Sequence, residues 1–236
     1  MATSVTPGGL ALRRVAAGAA ALAIVIGVTS SIQFLAAYRF DFQALLVDPG
    51  SIVGGGPSTA ALFHWGAIGD MLYSYLLLAP VALYLHDRLR PRLPWLADLG
   101  AVGAFGYIFI GAAGAGMLAA AGPPLIDAYA AAAGPDRLAI ASTFNLLTTA
   151  VFLGLWQTVE VIPLGLWIVS VGWVIRREHR ALGRFLVVAG VGLFAASLRT
   201  VLGVYSLSVL VTGVAFVILV WGGWMVTGRM GKSASS

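Results

Sequence analysis

Apolar residues run along this chain in long blocks, separated by short stretches where glycine, proline and arginine collect. A helix must present about 20 predominantly apolar residues to cross a hydrocarbon core of about 30 Å. Blocks of that length lie at roughly 15–38, 61–85, 95–121, 151–175, 184–203 and 206–227. They predict an all-α polytopic membrane helix bundle with six transmembrane helices, forming a single integral-membrane domain over 1–236. The first block follows Arg13-Arg14 as a secretory signal would, but it is too long. Phe34-Leu35-Ala36-Ala37 also lacks a small-x-small cleavage site, so the block is expected to stay as a membrane helix.

The stretch 138–175 is nearly continuous and long enough for one extended helix or for a tight hairpin. One crossing is expected, because a hairpin would carry Arg176–Arg184 away from the other arginine clusters. An external or interfacial helix should then begin near Gly134-Pro135-Asp136 and lead into span four, with Ser142, Asn145 and Thr149 as its polar stripe. Pro163 should kink it. Arg39–Ala60, with Asp-Pro-Gly and Gly-Gly-Gly-Pro turn signals, and Ala121–Arg137, with its proline breaks, read as irregular external loops. The tails, 1–9 and 231–236, read as disordered. Span three carries Gly100, Gly103, Gly106, Gly111, Gly114 and Gly116 among alanines, which marks it as the central helix, since small residues let backbones approach closely.

Charge orients the bundle. Arg13, Arg14, Arg88, Arg90, Arg92, Arg176, Arg177, Arg180, Arg184, Arg229 and Lys232 fall on one side of the six-span arrangement, leaving only Arg39, Arg137 and Arg199 of the 14 cations elsewhere. By the positive-inside rule this predicts an inner (plasma) membrane protein with both termini cytoplasmic, N-in and C-in. Composition agrees: 60% of residues are apolar and 10% charged, an excess that lipid must cover. The net charge of +5 sits in these clusters and not on one continuous face, so nucleic acid is not an expected partner; the bilayer is. The absence of cysteine removes disulfides, thiolate nucleophiles and iron–sulfur ligation.

A charge near the centre of a bilayer costs about 2.5–3.5 kcal/mol on insertion scales, so each one within a span is a candidate for function. Asp70, Glu160 and Arg199 qualify, at similar depth toward the outer side. Helical spacing puts Tyr73 and Ser74 on the face of Asp70, and Trp156 and Gln157 on the face of Glu160. The expected site is therefore an intramembrane polar cluster of Asp70, Glu160, Arg199, Tyr73 and Gln157, a candidate for a ligand or a proton. His64, nearer the outer end of span two, is a further candidate. Gln33, Tyr38 and Asn145 read more simply as helix–helix or interface hydrogen bonds. The competing reading is structural, an arginine–carboxylate cluster that fixes helix register.

No metal site or cofactor is expected. His64 and His86 are about 33 Å apart along one helix, which excludes paired haem ligation, and His-x-x-x-His spacing is absent. A phosphate-binding Gly-x-x-x-x-Gly-Lys loop, a Gly-x-Ser-x-Gly elbow and an Asp-Asp-x-x-Asp run are missing too, which removes support for ATP-driven transport and prenyl transfer. Trp95, Trp156, Trp167, Trp173, Trp221 and Trp224 read as interfacial anchors.

Leu83-Tyr84, Gly154-Leu155-Trp156, Pro163-Leu164-Gly165, Arg176-Arg177 and Arg180-Ala181-Leu182-Gly183 carry a resemblance from span two to span five. There the chain resembles the bacterial multi-pass membrane family known as domain of unknown function 4386. In this chain Trp156 stands further from Pro163 than the family pattern has it, and Glu160 occupies the gap. The resemblance implies a multi-pass membrane protein and supplies no residue roles. Three function classes follow from the residues: binding, sensing or transport of a small ligand or proton; a structural or assembly subunit with a membrane-protein partner; and an intramembrane acid/base enzyme on a lipid-like or isoprenoid substrate. The first two lead.

Overall fold

A computed structural model describes residues 7–201, with the side chains of 7–9, 46–47 and 199–201 left out of the description. Every described element is helical: α1 (Pro7–Ala37), α2 (Phe42–Val47), α3 (Gly56–Asp70), α4 (Ala79–Leu89), α5 (Pro94–Ala131), α6 (Gly134–Thr149), α7 (Val161–Ile175) and α8 (Arg180–Val201). A π-helical stretch, Met71–Tyr75, and a 3-10 turn, Leu76–Leu78, join α3 to α4. A second π-helical stretch, Ala150–Val159, joins α6 to α7. The described residues thus contain five helices long and apolar enough to cross a membrane: Leu10–Ala37, Ser51–Leu89, Pro94–Ala131, Gly134–Ile175 and Arg180–Leu198. The sixth expected span, 206–227, lies outside the described residues.

The five spans alternate in direction, and glycine sits at their closest approaches. Gly66 and Gly69 of α3 meet Phe34 and Ser30 of α1, and the Ser30 hydroxyl donates to the Gly66 carbonyl at 2.7 Å. Along α5, Gly122 faces Phe63, Gly111 faces Tyr75, Gly103 faces the backbone of Pro163 and Trp167, and Gly100 faces Ser170. A Cβ at Gly103 would lie 2.7 Å from the Pro163 carbonyl oxygen, so only hydrogen fits. Gly165 and Gly172 of α7 meet Gly190 and Gly183 of α8 in the same way. Without a hydrophobic drive between helices in lipid, such backbone proximity is what gives the bundle its dispersion contacts. The central helix is α5, which touches α3, α4, α6 and α7. Gly116 contributes little to this, since its Cβ would meet only the Met71 sulfur at 3.9 Å.

The stretch 138–175 is one crossing. α6 begins at Gly134, whose φ of 57° is the left-handed conformation glycine adopts freely, and it runs through the π stretch into α7. Its polar residues Ser142 and Asn145 are exposed, while Thr149 donates to the Asn145 side chain at 3.3 Å. Pro163 follows the π stretch within this continuous helix and has no N–H to give the turn before it, where the Ser197 hydroxyl donates to the Thr158 carbonyl at 2.8 Å. The departure from α-geometry comes just before it, as a π stretch.

Two expected loops are corrected. Ala121–Arg137 is mostly helix, for α5 continues to Ala131 through Pro123 and Pro124. Proline at 123 leaves the carbonyl of Ala119 without its helical donor. His64 Nδ1 lies 2.9 Å from that carbonyl oxygen and takes the donor's place. Neighbouring side chains that satisfy freed carbonyls are what let proline persist inside membrane helices. Arg39–Ala60 is also less irregular than expected. Asp41 caps α2 by accepting from the Gln43 and Ala44 amides at 2.9 Å each, a 3-10 turn covers Ser51–Gly55, and α3 starts at Gly56.

The arginine clusters at the α4–α5 and α7–α8 turns share one end of the bundle: Arg92 Nη2 is 2.9 Å from Glu178 Oε1. α1 pairs antiparallel with the second span, Phe34 against Gly66, Ser30 against Gly69 and Gly27 against Tyr73, and also packs on α4, which places the start of α1 at that end as well. At 1.5 Å per residue α5 is about 57 Å long, so it rises beyond a bilayer at the opposite end.

Candidate functional site

The polar groups at mid-depth gather where the two π stretches face α5. Asp70 closes α3, immediately before Met71–Tyr75; Glu160 follows Ala150–Val159, immediately before α7. Wide i→i+5 turns are rare and recur at functional sites, because they rotate side chains off the faces that α-periodicity assigns them. Glu160 shows the bonding directly, its amide donating to the Leu155 carbonyl at 2.8 Å.

Around Asp70 the partners come from its own span and from α1. The Ser74 hydroxyl donates to Asp70 Oδ1 at 2.8 Å. Tyr73 also hydrogen-bonds Asp70 and reaches Ser31 of α1, with its ring lying over Gly27. Asp70 itself is half-buried.

Glu160 is 7% exposed and is met by a side chain from the other span. The Tyr75 hydroxyl lies 3.2 and 3.1 Å from its two carboxyl oxygens and donates to them. To reach Glu160, Tyr75 crosses α5 in the notch left by Gly111, where its ring occupies the space a side chain would take. Trp156 fills the next notch, at Gly114, and donates from Nε1 to the Gly111 carbonyl at 3.3 Å. Tyr107, one turn along α5, lies against Tyr75 at 5.2 Å between ring centroids and against Trp167 at 6.4 Å. Tyr75 and Tyr107 are 4% and 3% exposed, so the Glu160 carboxyl is sealed by aromatic packing.

Comparisons with family models, with curated proteins and with solved structures return no match to this chain. What the site can do is read from its own side chains.

The sequence-expected residues divide as follows. Asp70 and Tyr73 share one hydrogen-bonded group, and Glu160 and Gln157 are buried together at the second π stretch. His64 is not drawn into the cluster; it is six residues, about 9 Å, from Asp70 and bound to the Ala119 carbonyl. A carbonyl only accepts, so Nδ1 carries the proton there. Arg199 belongs to α8 by its backbone, and its side chain lies outside the description. The Ser197 hydroxyl, two residues earlier, donates to the Thr158 carbonyl at 2.8 Å and joins that end of α8 to the second π stretch. The described ion pairs, His86–Asp98, Arg90–Asp98 and Arg92–Glu178, all sit at the arginine-rich end and include neither Asp70 nor Glu160. Among the described residues no group of His, Asp and Glu is arranged to hold a metal ion.

Sequence reasoning missed Tyr75 and Tyr107. In an α-helix the fifth residue after Asp70 points well away from it, and only the π stretch turns Tyr75 toward α5. Two tryptophans are also not anchors: Trp167 is buried and Trp156 is bound to α5, whereas Trp95 and Trp173 are exposed near span ends as expected.

Proposed function

We propose that this chain is an integral membrane protein of an inner (plasma) membrane, with its arginine-rich end cytoplasmic, that takes up and releases a proton within the bilayer at Glu160. Asp70 is the second acid. The single observation that carries the reading is a buried carboxyl, 7% exposed, whose described partner is a tyrosine hydroxyl from another span. Taking an ionised carboxylate out of water at that depth costs several kcal/mol, and binding a proton removes that cost. A proton is the countercharge small enough to enter packing this close. The Tyr75 hydroxyl serves both states, since a phenol donates to a carboxylate and accepts from a carboxylic acid. The π stretches, one on each span, supply joints about which the two acids can shift when the charge changes. The orientation follows from three arginine clusters at one end. Sensing or transport of a small ligand would then be coupled to this proton.

A structural reading has one observation in its favour: Tyr75 seated across the Gly111 notch would also pin helix register. An acid/base enzyme acting on a lipid-like substrate is less well supported, because aromatic rings close the approach to Glu160.

The test is proton flux in proteoliposomes holding a pH-sensitive dye, driven by a potassium diffusion potential. Wild type should acidify or alkalinise the lumen faster than empty liposomes, and Glu160→Gln should abolish the difference. Asp70→Asn should reduce it, and pairing that change with Arg199→Gln reports whether the arginine balances Asp70. Flux from wild type no greater than from lipid alone, with both acid variants equally well folded, would leave the structural reading in its place.

A further inference from the structure

A small cavity lies between α4, α5 and α7 below the arginine-rich end, walled by His86, Leu89, Ala97, Gly100, Trp167 and Ser170 among others. Its volume is about 10 Å³, close to the least that admits one water. The Ser170 hydroxyl on that wall is 2% exposed, and among the described residues it is the buried side-chain polar atom that lacks a hydrogen-bond partner. A buried hydroxyl left unpaired costs about 1–3 kcal/mol, and a water in the adjoining space removes that cost.

We propose that this cavity holds a water on Ser170 and is the intake through which protons from the arginine-rich side reach Glu160. The inference rests on the proton-binding reading of that residue. At the aqueous edge His86, the titratable residue on the cavity wall, has Nε2 2.7 Å from Asp98 Oδ1, and Arg90 Nε is 3.5 Å from the same oxygen. Its imidazole, held through Nε2 by Asp98, stands between the aqueous edge and the cavity, where a ring with two nitrogens can relay a proton. At the inner end the Trp167 indole walls the cavity and lies against Tyr107, which lies against Tyr75, the hydroxyl partner of Glu160. The cavity therefore opens onto an aromatic column that ends at the acid. In the step proposed, the Trp167 indole swings aside and cavity water reaches the Tyr75 hydroxyl, which gives its proton to the Glu160 carboxylate and takes one from that water; His86 makes good the water's proton and regains its own from bulk solvent. Trp167 is the gate, closed in this conformation.

Infrared spectroscopy of the purified full chain in lipid nanodiscs, moved from H₂O to D₂O, reads this directly. The acid carbonyl band of Glu160 is identified by its loss in Glu160→Gln, and its shift on deuteration gives the rate at which the site exchanges with solvent. Ser170→Val should slow that exchange about tenfold, the effect of one lost hydrogen bond to the water, while Ser170→Thr, equal in shape but with the hydroxyl, should stay near wild type. Ser170→Ala needs no extra room and should also slow exchange, which keeps the test available if the branched side chains are not tolerated beside Gly100. Exchange as fast in Ser170→Val or Ser170→Ala as in wild type overturns the intake. A spectrum in which Glu160→Gln removes no acid band overturns the proton-binding reading instead, so the two failures are told apart.

Discussion

Gly111→Ala is the smallest change that should disturb both the bundle and its polar site. The added Cβ would fall on the Tyr75 ring, overlapping Cε1, Cζ and Cδ1. The ring has little freedom to yield, since it is buried, Tyr107 lies 5.2 Å away, and its hydroxyl is bound to Glu160. α5 cannot easily retreat either, because Gly103 and Gly106 hold it against Pro163 on its other side. Overpacking of this kind costs about 1–3 kcal/mol. Displacing Tyr75 also forfeits its bond to Glu160, worth about 1–3 kcal/mol when a buried partner is left unsatisfied. Alanine is a better helix former than glycine by about 1 kcal/mol, which offsets part of the loss. The net expectation is destabilisation by about 3 kcal/mol. Equilibrium unfolding in mixed micelles, followed by circular dichroism as SDS is raised, measures it. In a Tyr75→Ala background the same Gly111→Ala change should be neutral or mildly stabilising, because the ring it strikes is gone. A Gly111→Ala variant within about 1 kcal/mol of wild type, or one equally costly in both backgrounds, would falsify the account of Tyr75 crossing α5 through this notch.

Two further predictions concern the frame. His64→Ala should cost about 1–3 kcal/mol by orphaning the Ala119 carbonyl, and adding Pro123→Ala should recover most of it, because the restored amide supplies the helical donor; additive losses in the same unfolding assay would refute the compensation. The chain has no cysteine, so single cysteines report topology without background. Arg90→Cys and Arg177→Cys in sealed vesicles should react with an impermeant maleimide from the same side, and Ser51→Cys from the other; labelling of 90 and 177 from opposite sides would overturn the shared arginine-rich end.

Which parts of this molecule could be read from the chain alone follows from where the physics is local. Span number and position depend on the length of apolar runs, so Leu10–Ala37 and Pro94–Ala131 enclose most of the stretches read as spans one and three. The single crossing over 138–175 was legible because a hairpin would separate arginines that share one end, and the Arg92–Glu178 pair keeps them together. The glycine series of α5 marked the central helix, since small residues at these intervals have no other obvious use. Asp70 and Glu160 stood out because charge is rare and costly in lipid.

The failures occurred where a residue's meaning depends on a neighbour distant in the chain. Pro123 reads as a break until His64, 55 residues earlier in sequence order than Ala119, satisfies the carbonyl that proline leaves free. Tyr75 reads as one more aromatic on an apolar span until a π stretch turns it and Gly111 lets it pass. Apolar length, small-residue spacing and charge asymmetry act on the chain segment by segment, so sequence by itself determined the spans, the central helix and the candidate acids. Tertiary structure alone decided what those acids touch, because π geometry and carbonyl compensation arise only when two packed helices settle each other's unsatisfied groups.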